Sequence, residues 1–211
     1  MFSAFDAIVF DMDGTLIDSA PGVLSRLSET VEKAGLDADE SKLNRELIGP
    51  PLETMLKTLC PTESAEKLAT AVQVFRRLYD ADPTVGCTVY PAAKGLLNGL
   101  RARNKRLLIA TNKPKLPALT LIDRLGLGRF EAVFTPDMTD GKRLTKAEML
   151  QRLIVDFGLN KERAVMVGDA VSDMTAAHAA GIKGVAVLWG YERDKERLVS
   201  EADFIFEGKN D

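Results

Sequence analysis

The stretch Asp11-Met12-Asp13-Gly14-Thr15-Leu16-Ile17-Asp18-Ser19 decides how the rest of the chain is read, because the apolar run Ala7-Ile8-Val9-Phe10 leads directly into it. A short apolar run with β-branched members predicts a buried strand. In extended chain, residues two apart point to the same side, so Asp11 and Asp13 project together while Met12 faces away. Two carboxylates in one small volume repel each other unless a cation lies between them or one of them keeps its proton. Gly14 suits such a place, since without a Cβ it permits a sharp turn and the close approach of a backbone N–H to an anion. The plainer alternative is a surface turn, for which Asp and Gly are favoured residues. The residues that follow the other apolar runs separate the two readings.

Beyond Ser19, Val23, Leu24, Leu27 and Val31 recur at helical spacing over residues 20–34, and Gly35 supplies a stop. Residues 39–47 and 51–59 predict two short helices divided by Gly49-Pro50-Pro51. Residues 63–79, with Leu68, Val72, Phe75 and Leu78, predict a longer amphipathic helix. Residues 19–85 are therefore expected to form an all-helical domain inserted between the first two strands, because an ordinary crossover needs only about a dozen residues. From residue 86 onward helices and short apolar runs alternate. Helices are predicted over 92–103, 117–125, 145–157, 172–180 and 193–200, and strands over 106–110, 132–134, 164–167, 184–188 and 203–205. The alternation predicts an α/β chain whose core, residues 1–18 and 86–211, is a doubly wound, Rossmann-like parallel sheet covered on both faces.

In such a sheet, ligands bind beyond the carboxyl ends of the strands. The run at 106–110 ends in Thr111-Asn112-Lys113-Pro114, where a hydroxyl, an amide and the N–H groups before a helix can donate to an anion. The run at 164–167 ends in Gly168-Asp169-Ala170-Val171-Ser172-Asp173, with two acids four residues apart on one helix face. Taken singly, Thr111 or Asp169 could be no more than a helix cap. Between the third and fourth strands, Lys142 and Lys146 compete as the lysine of the site. Lys146 would begin a helix, where a cation opposes the macrodipole and needs another reason to be present.

Together these stretches resemble, in order, the four motifs of the haloacid dehalogenase-like phosphatase superfamily. They are DxDGTxxDS at 11–19, a Thr at the end of the second core strand (Thr111), a lysine in Lys146-Ala147-Glu148, and GDxxxD at 168–173. The helical insert falls where members with a small helical cap carry it, and Gly49-Pro50-Pro51-Leu52 is similar to the cap loop of phosphoglycolate phosphatase-like and 5′-nucleotidase-like relatives. The resemblance implies a Mg²⁺-dependent hydrolase of small phosphate monoesters, phosphoglycolate phosphatase-like, that works through an aspartyl-phosphate. Asp11 would be the nucleophile, Asp13 the acid and base, and Lys146 their catalytic cation. Gly14, Thr111, Asn112 and Lys146 would hold the phosphate. Asp11, Asp13 through its backbone carbonyl, and Asp169 would hold the metal, with Asp173 orienting a bound water or holding the loop.

Asp13 argues against the dehalogenases of the superfamily, which lack this second acid. A phosphomutase, β-phosphoglucomutase-like, shares both acids and is the alternative, with a 5′-nucleotidase a further one. A phospho-accepting receiver module has no need of the insert, and no GxxxxGK[ST] loop points to a nucleoside triphosphate.

The 211 residues carry a formal charge of −3 and a predicted isoelectric point near 5.4, enough chain for a large domain plus an insertion. No Lys/Arg-rich run suggests a nucleic-acid partner, and no stretch approaches the about 18 apolar residues a membrane span needs. The first residues lack the basic segment of a secretory signal, so a cytoplasmic protein is expected. Its partner would be a small phosphorylated metabolite, and it would be a monomer or homodimer. Cys60 and Cys87 form neither a disulfide framework nor a zinc pattern. His178 stands alone in Ala-Ala-His-Ala-Ala and is expected to be structural.

Overall fold

Ala7–Phe10 forms β1, buried at all four positions, inside a six-stranded sheet. The fold is that of a computed structural model describing residues 1–139 and 141–208. The elements that follow are β2 (Ile17–Asp18), α1 (Ala20–Ala34), α2 (Leu52–Leu59), α3 (Ala65–Ala81) and β3 (Thr88–Val89). Next come α4 (Pro91–Ala102), β4 (Arg106–Ala110), α5 (Lys115–Arg124), β5 (Ala132–Phe134), α6 (Lys146–Asp156) and β6 (Ala164–Gly168). The chain continues through α7 (Val171–Ala180), β7 (Lys183–Val187), α8 (Lys195–Glu201) and β8 (Phe204–Phe206).

The strand order is β5-β4-β1-β6-β7-β8, and every neighbouring pair is parallel. The doubly wound α/β sheet expected from the alternation is the one the chain adopts. Strands β4 and β5 extend it on one side of β1, and β6 to β8 on the other, so the winding reverses beside β1. That crevice is where such sheets bind ligands. Phe10 is level with both Ile109 and Val167, so the residues just past β1, β4 and β6 leave the sheet together at one edge.

One face of the sheet is held by Val9, Leu108, Ala110 and Met166, packed against Met149, Leu150, Leu153 and Ile154 of α6 and the alanines of α7. Gly184 of β7 allows α7 to lie close, since a Cβ there would fall 2.6 Å from the Met174 sulfur. At the opposite edge, where the strands begin, Asp6 accepts from Arg163, with Nη2 to Oδ1 at 2.7 Å. There Arg106 also grips both oxygens of Glu131, at 2.8 and 2.6 Å.

The chain divides into two compact units, Met1–Asp18 with the chain from Val89 onward, and Ser19–Thr88. The second unit has its own core, in which Val23 and Leu27 of α1, Met55, Leu56 and Leu59 of α2, and Val72, Phe75 and Tyr79 of α3 come together. Phe75 and Tyr79 stack at 5.4 Å between ring centres. The helix expected over 39–47 is replaced by two 3₁₀ turns, Glu40–Lys42 and Arg45–Leu47. Asp39 and Asn44 cause this by accepting the N–H of Ser41 and Glu46, a local bond that competes with α-helix. Helix α5 begins at Lys115, two residues early, which places Pro117 in its first turn, where a missing N–H leaves no bond unmade. Cys60 and Cys87 are buried free thiols, and His178 pairs with Asp203 at 2.9 Å. No helix among the described residues is long and apolar enough to cross a membrane.

Leu153, fully buried between α6 and the sheet, is expected to cost about 2–5 kcal/mol on replacement by Ala. Gly22→Ala is expected to cost about 1–3 kcal/mol, because the new Cβ would fall 2.0 Å from the Val85 carbonyl oxygen. Urea unfolding midpoints check both.

Candidate active site

The Asp11 N–H donates to the Val167 carbonyl at 2.9 Å, extending the pairing of β1 with β6 by one residue. The chain then folds back on itself: the N–H groups of Leu16 and Ile17 both donate to the Met12 carbonyl, at 2.8 and 3.0 Å. Gly14 stands in this turn with φ +81°. Its own N–H donates to the Ile17 carbonyl at 2.9 Å, which corrects the expectation that this group faces a phosphate. What Gly14 contributes is space, since a Cβ there would lie 2.3 Å from Asp169 Oδ2.

Lys146 is the first residue of α6. Thr145 caps that helix reciprocally with Glu148: the Glu148 N–H donates to Thr145 Oγ1 at 3.2 Å and the Thr145 N–H to Glu148 Oε2 at 2.8 Å. With the helix start fixed, the buried Lys146 Nζ lies 3.0 Å from Asp11 Oδ1 and 2.5 Å from Asp173 Oδ1. Lys142, its competitor, pairs instead with Glu148 at 2.6 Å and leaves 70% of its side chain exposed.

Asp173 is fully buried at the start of α7, and its Oδ2 accepts the Ala170 N–H at 3.2 Å. Asp169 accepts at both oxygens, from the Thr15 hydroxyl at 3.0 Å and the Tyr191 N–H at 2.7 Å. Thr111 is buried at the end of β4, where its Oγ1 accepts the Lys113 N–H at 3.2 Å. Asn112, on the same loop, is exposed.

The sequence reading passed over three groups. Lys113 is buried and places its Nζ 3.2 Å from Asp13 Oδ1. Its signal was present, since Thr111 and Lys113 share a side after β4 as Asp11 and Asp13 do after β1. Thr15 reaches Asp169, which only folding reveals. Trp189-Gly190-Tyr191, the segment after β7, also touches the site, and an apolar run ending in two aromatics was the available clue.

One oxygen each from Asp11, Asp169 and Asp173 lies within 4.8 Å of the other two. The Asp13 carboxylate faces Lys113 and stands outside that cluster. Burial pushes Asp11 up to about 6; Lys146 opposes this, and the charges of Asp173 and Asp13 add to it. Burial likewise pushes Asp169 up to about 7, with Asp173 and Asp11 adding and the bonds from Tyr191 and Thr15 opposing. For Lys146 burial acts downward, but Asp11 and Asp173 outweigh it and hold the ammonium above its ordinary range. Three converging carboxylates, two of them held above the usual carboxylate range chiefly by burial, make a surrounding that fits a hard divalent cation such as Mg²⁺.

A profile of the haloacid dehalogenase-like hydrolases matches residues 8–187. The chain belongs to that family. As a haloacid dehalogenase-like hydrolase it has a relative in the phosphoglycolate phosphatase of Rhodospirillum rubrum, 34% identical over an alignment of 197 residues that covers 89% of this chain and 81% of that one. A tyrosine-protein kinase of Mycobacterium tuberculosis is 33% identical over 198 residues, 94% of this chain but 64% of the kinase, so the chain spans less than two thirds of that relative. Among solved structures, a haloacid dehalogenase-like hydrolase from Streptococcus pneumoniae superposes with a TM-score of 0.83 at 28% identity, covering 96% of this chain and 94% of the other.

The raised pKa values set a pH dependence. Asp11 and Asp169 stand above the 3.8 of an ordinary Asp, so between about pH 4 and 7 the fold binds more protons than the unfolded chain, and these two groups lose it stability as pH rises. A cation binds only their ionised forms. A rise in melting temperature on adding Mg²⁺ would accordingly be small near pH 5 and grow towards pH 8, as differential scanning fluorimetry with and without the ion will show.

Proposed function

We propose that this chain is a Mg²⁺-dependent hydrolase of small phosphate monoesters, phosphoglycolate phosphatase-like, with Asp11 as the nucleophile. The observation that carries the reading is the Lys146 ammonium held between Asp11 and Asp173 at 3.0 and 2.5 Å, beside Asp169 and at the reversal of the sheet. The name of the Rhodospirillum relative supports the substrate class. On this reading Ser19–Thr88 is the helical cap foreseen at 19–85, and the rest of the chain is the core foreseen at 1–18 and 86–211.

In the first step an Asp11 carboxylate oxygen bonds to phosphorus as the bond from phosphorus to the ester oxygen breaks, and the departing oxygen takes a proton from Asp13. In the second, water attacks the aspartyl-phosphate and gives its proton to Asp13; the bond from phosphorus to Asp11 breaks, releasing phosphate and restoring the carboxylate. A carboxylate nucleophile thus divides one hard displacement into two. Lys146 neutralises Asp11 and the transferring oxygens, and Thr111 and Asn112 supply donors from the loop after β4. Lys113, beside Asp13, puts a cation on the departing side, which suits an alcohol carrying its own carboxylate.

Asp11, Asp169 and the Asp13 carbonyl would hold Mg²⁺, with Asp173 kept for Lys146 and the loop. Bound there, the ion would neutralise charge on the phosphoryl oxygens.

Purified chain with Mg²⁺ is expected to release free phosphate from a panel of small monoesters that includes 2-phosphoglycolate. An isomerised sugar phosphate without net phosphate release would favour the phosphomutase instead. Asp11→Asn is expected to abolish both turnover and acid-quenched phosphoenzyme, and substantial retained turnover would rule out this nucleophile. Lys146→Met is expected to lower kcat/KM by about 10²- to 10³-fold, read in the same assay.

A further inference from the structure

The loop that follows β7 takes no part in the scheme above, yet it is built against Asp169 at several points. The Tyr191 N–H donates to Asp169 Oδ2 at 2.7 Å, while the Thr15 hydroxyl donates to Oδ1 at 3.0 Å from the other side. With one donor on each oxygen, the carboxylate cannot rotate without breaking a buried bond, and its remaining lone pairs are left for the cluster with Asp11 and Asp173.

Gly190 presses on the same group. A Cβ there would lie 2.2 Å from both Cβ and Oδ2 of Asp169. Gly190 is not among the glycines with positive φ. Backbone conformation therefore does not call for glycine here; only the closeness of Asp169 does.

The two ring residues on either side of Gly190 hold the chain that carries the nucleophile. Trp189 Nε1 donates to the Thr15 carbonyl at 3.1 Å, and the Tyr191 hydroxyl donates to Asp18 Oδ1 at 3.1 Å. Two further bonds fix the loop itself. Lys195 Nζ donates to the Gly190 carbonyl at 3.2 Å, and the Val171 N–H, at the start of the helix that bears Asp173, donates to Glu192 Oε2 at 3.0 Å.

We infer that Trp189-Gly190-Tyr191 is a positioning element of the cation site: it fixes the Asp169 carboxylate in the orientation that binds the divalent ion and keeps it in register with the segment following Asp11. The inference rests on the Mg²⁺ reading above. It adds a fourth strand end, β7, to the three that supply the proposed catalytic residues.

The test is Mg²⁺ binding to the full chain without substrate. Chelator-treated protein is titrated with Mg²⁺ by isothermal calorimetry, with the emission of Trp189, the only tryptophan in the sequence, as a second signal. Gly190→Ala is expected to raise the Mg²⁺ dissociation constant about 10- to 100-fold, the range seen when groups that orient a metal ligand are altered. Its metal-free melting temperature is expected to fall as well, because the new Cβ displaces a buried side chain, so the dissociation constant is the deciding readout. A purely structural defect would lower the metal-free melting temperature and leave the dissociation constant within about twofold of the wild type, and that unchanged constant overturns the inference. If Gly190→Ala does not fold, Tyr191→Phe decides, since it keeps the backbone N–H and removes the hydroxyl that bonds Asp18. A rise of about threefold or more supports the element, and an unchanged constant overturns it. Failure of the wild type itself to take up Mg²⁺ would remove the metal reading, and the inference with it, and is distinguishable because no variant is involved.

Discussion

Four carboxylates, Asp11, Asp13, Asp169 and Asp173, meet at one edge of the sheet, and their mutual repulsion governs everything placed around them. At a separation of about 4 Å and an effective dielectric near 20, two like charges oppose each other by about 4 kcal/mol. The chain answers with two buried lysines, and it does not share them equally. Lys146 lies on the closed side, between Asp11 and Asp173, while Lys113 stands with the more exposed Asp13. Each acid proposed for chemistry thus has its own cation, and the two environments differ in burial. Such a difference lets neighbouring carboxyl groups take separate roles.

The convergence follows from the winding of the sheet more than from any local preference. Because β1 lies between β4 and β6 in register, the residues after all three strands emerge side by side, although they are distant in sequence. The crowding that results leaves no room for certain side chains. A Cβ on Gly168 would lie 2.3 Å from Asp173 Oδ2, and Gly14 and Gly190 approach Asp169 equally closely. Three glycines therefore mark the places where backbone is packed directly on a carboxylate. Lys146 is delivered differently, by a helix whose capped first turn decides where its side chain starts.

Much of this was legible in the chain itself, and the failures have identifiable physical causes. The strands could be read because a sheet buried on both faces writes itself as short apolar runs, and the acids could be read because they stand directly after those runs. The choice of Lys146 over Lys142 rested on the family's Lys-Ala-Glu pattern together with its place at a helix start, and of the two it is Lys146 that lies beside Asp11. Residues 39–47 misled because Asp39 and Asn44 bond to nearby N–H groups, a choice that hydrophobic spacing does not record. The Gly14 N–H was misassigned because a turn can consume its own donors, as Ile17 shows. Lys113 escaped notice behind its neighbours Thr111 and Asn112. The contacts of Thr15, Gly190 and Tyr191 with Asp169 join positions more than a score apart in sequence, and no local pattern announces them.

The sheet's other edge has a different character. There the pairs of Asp6 with Arg163 and of Arg106 with Glu131 clasp the beginnings of β1, β6, β4 and β5 in open solvent. Fastening and reactivity are thereby kept at opposite ends of the same strands. Drift in the loops that bear the acids can change what is transformed while the clasps stay shut, so that one framework can be turned to new chemistry without first having to relearn how to fold.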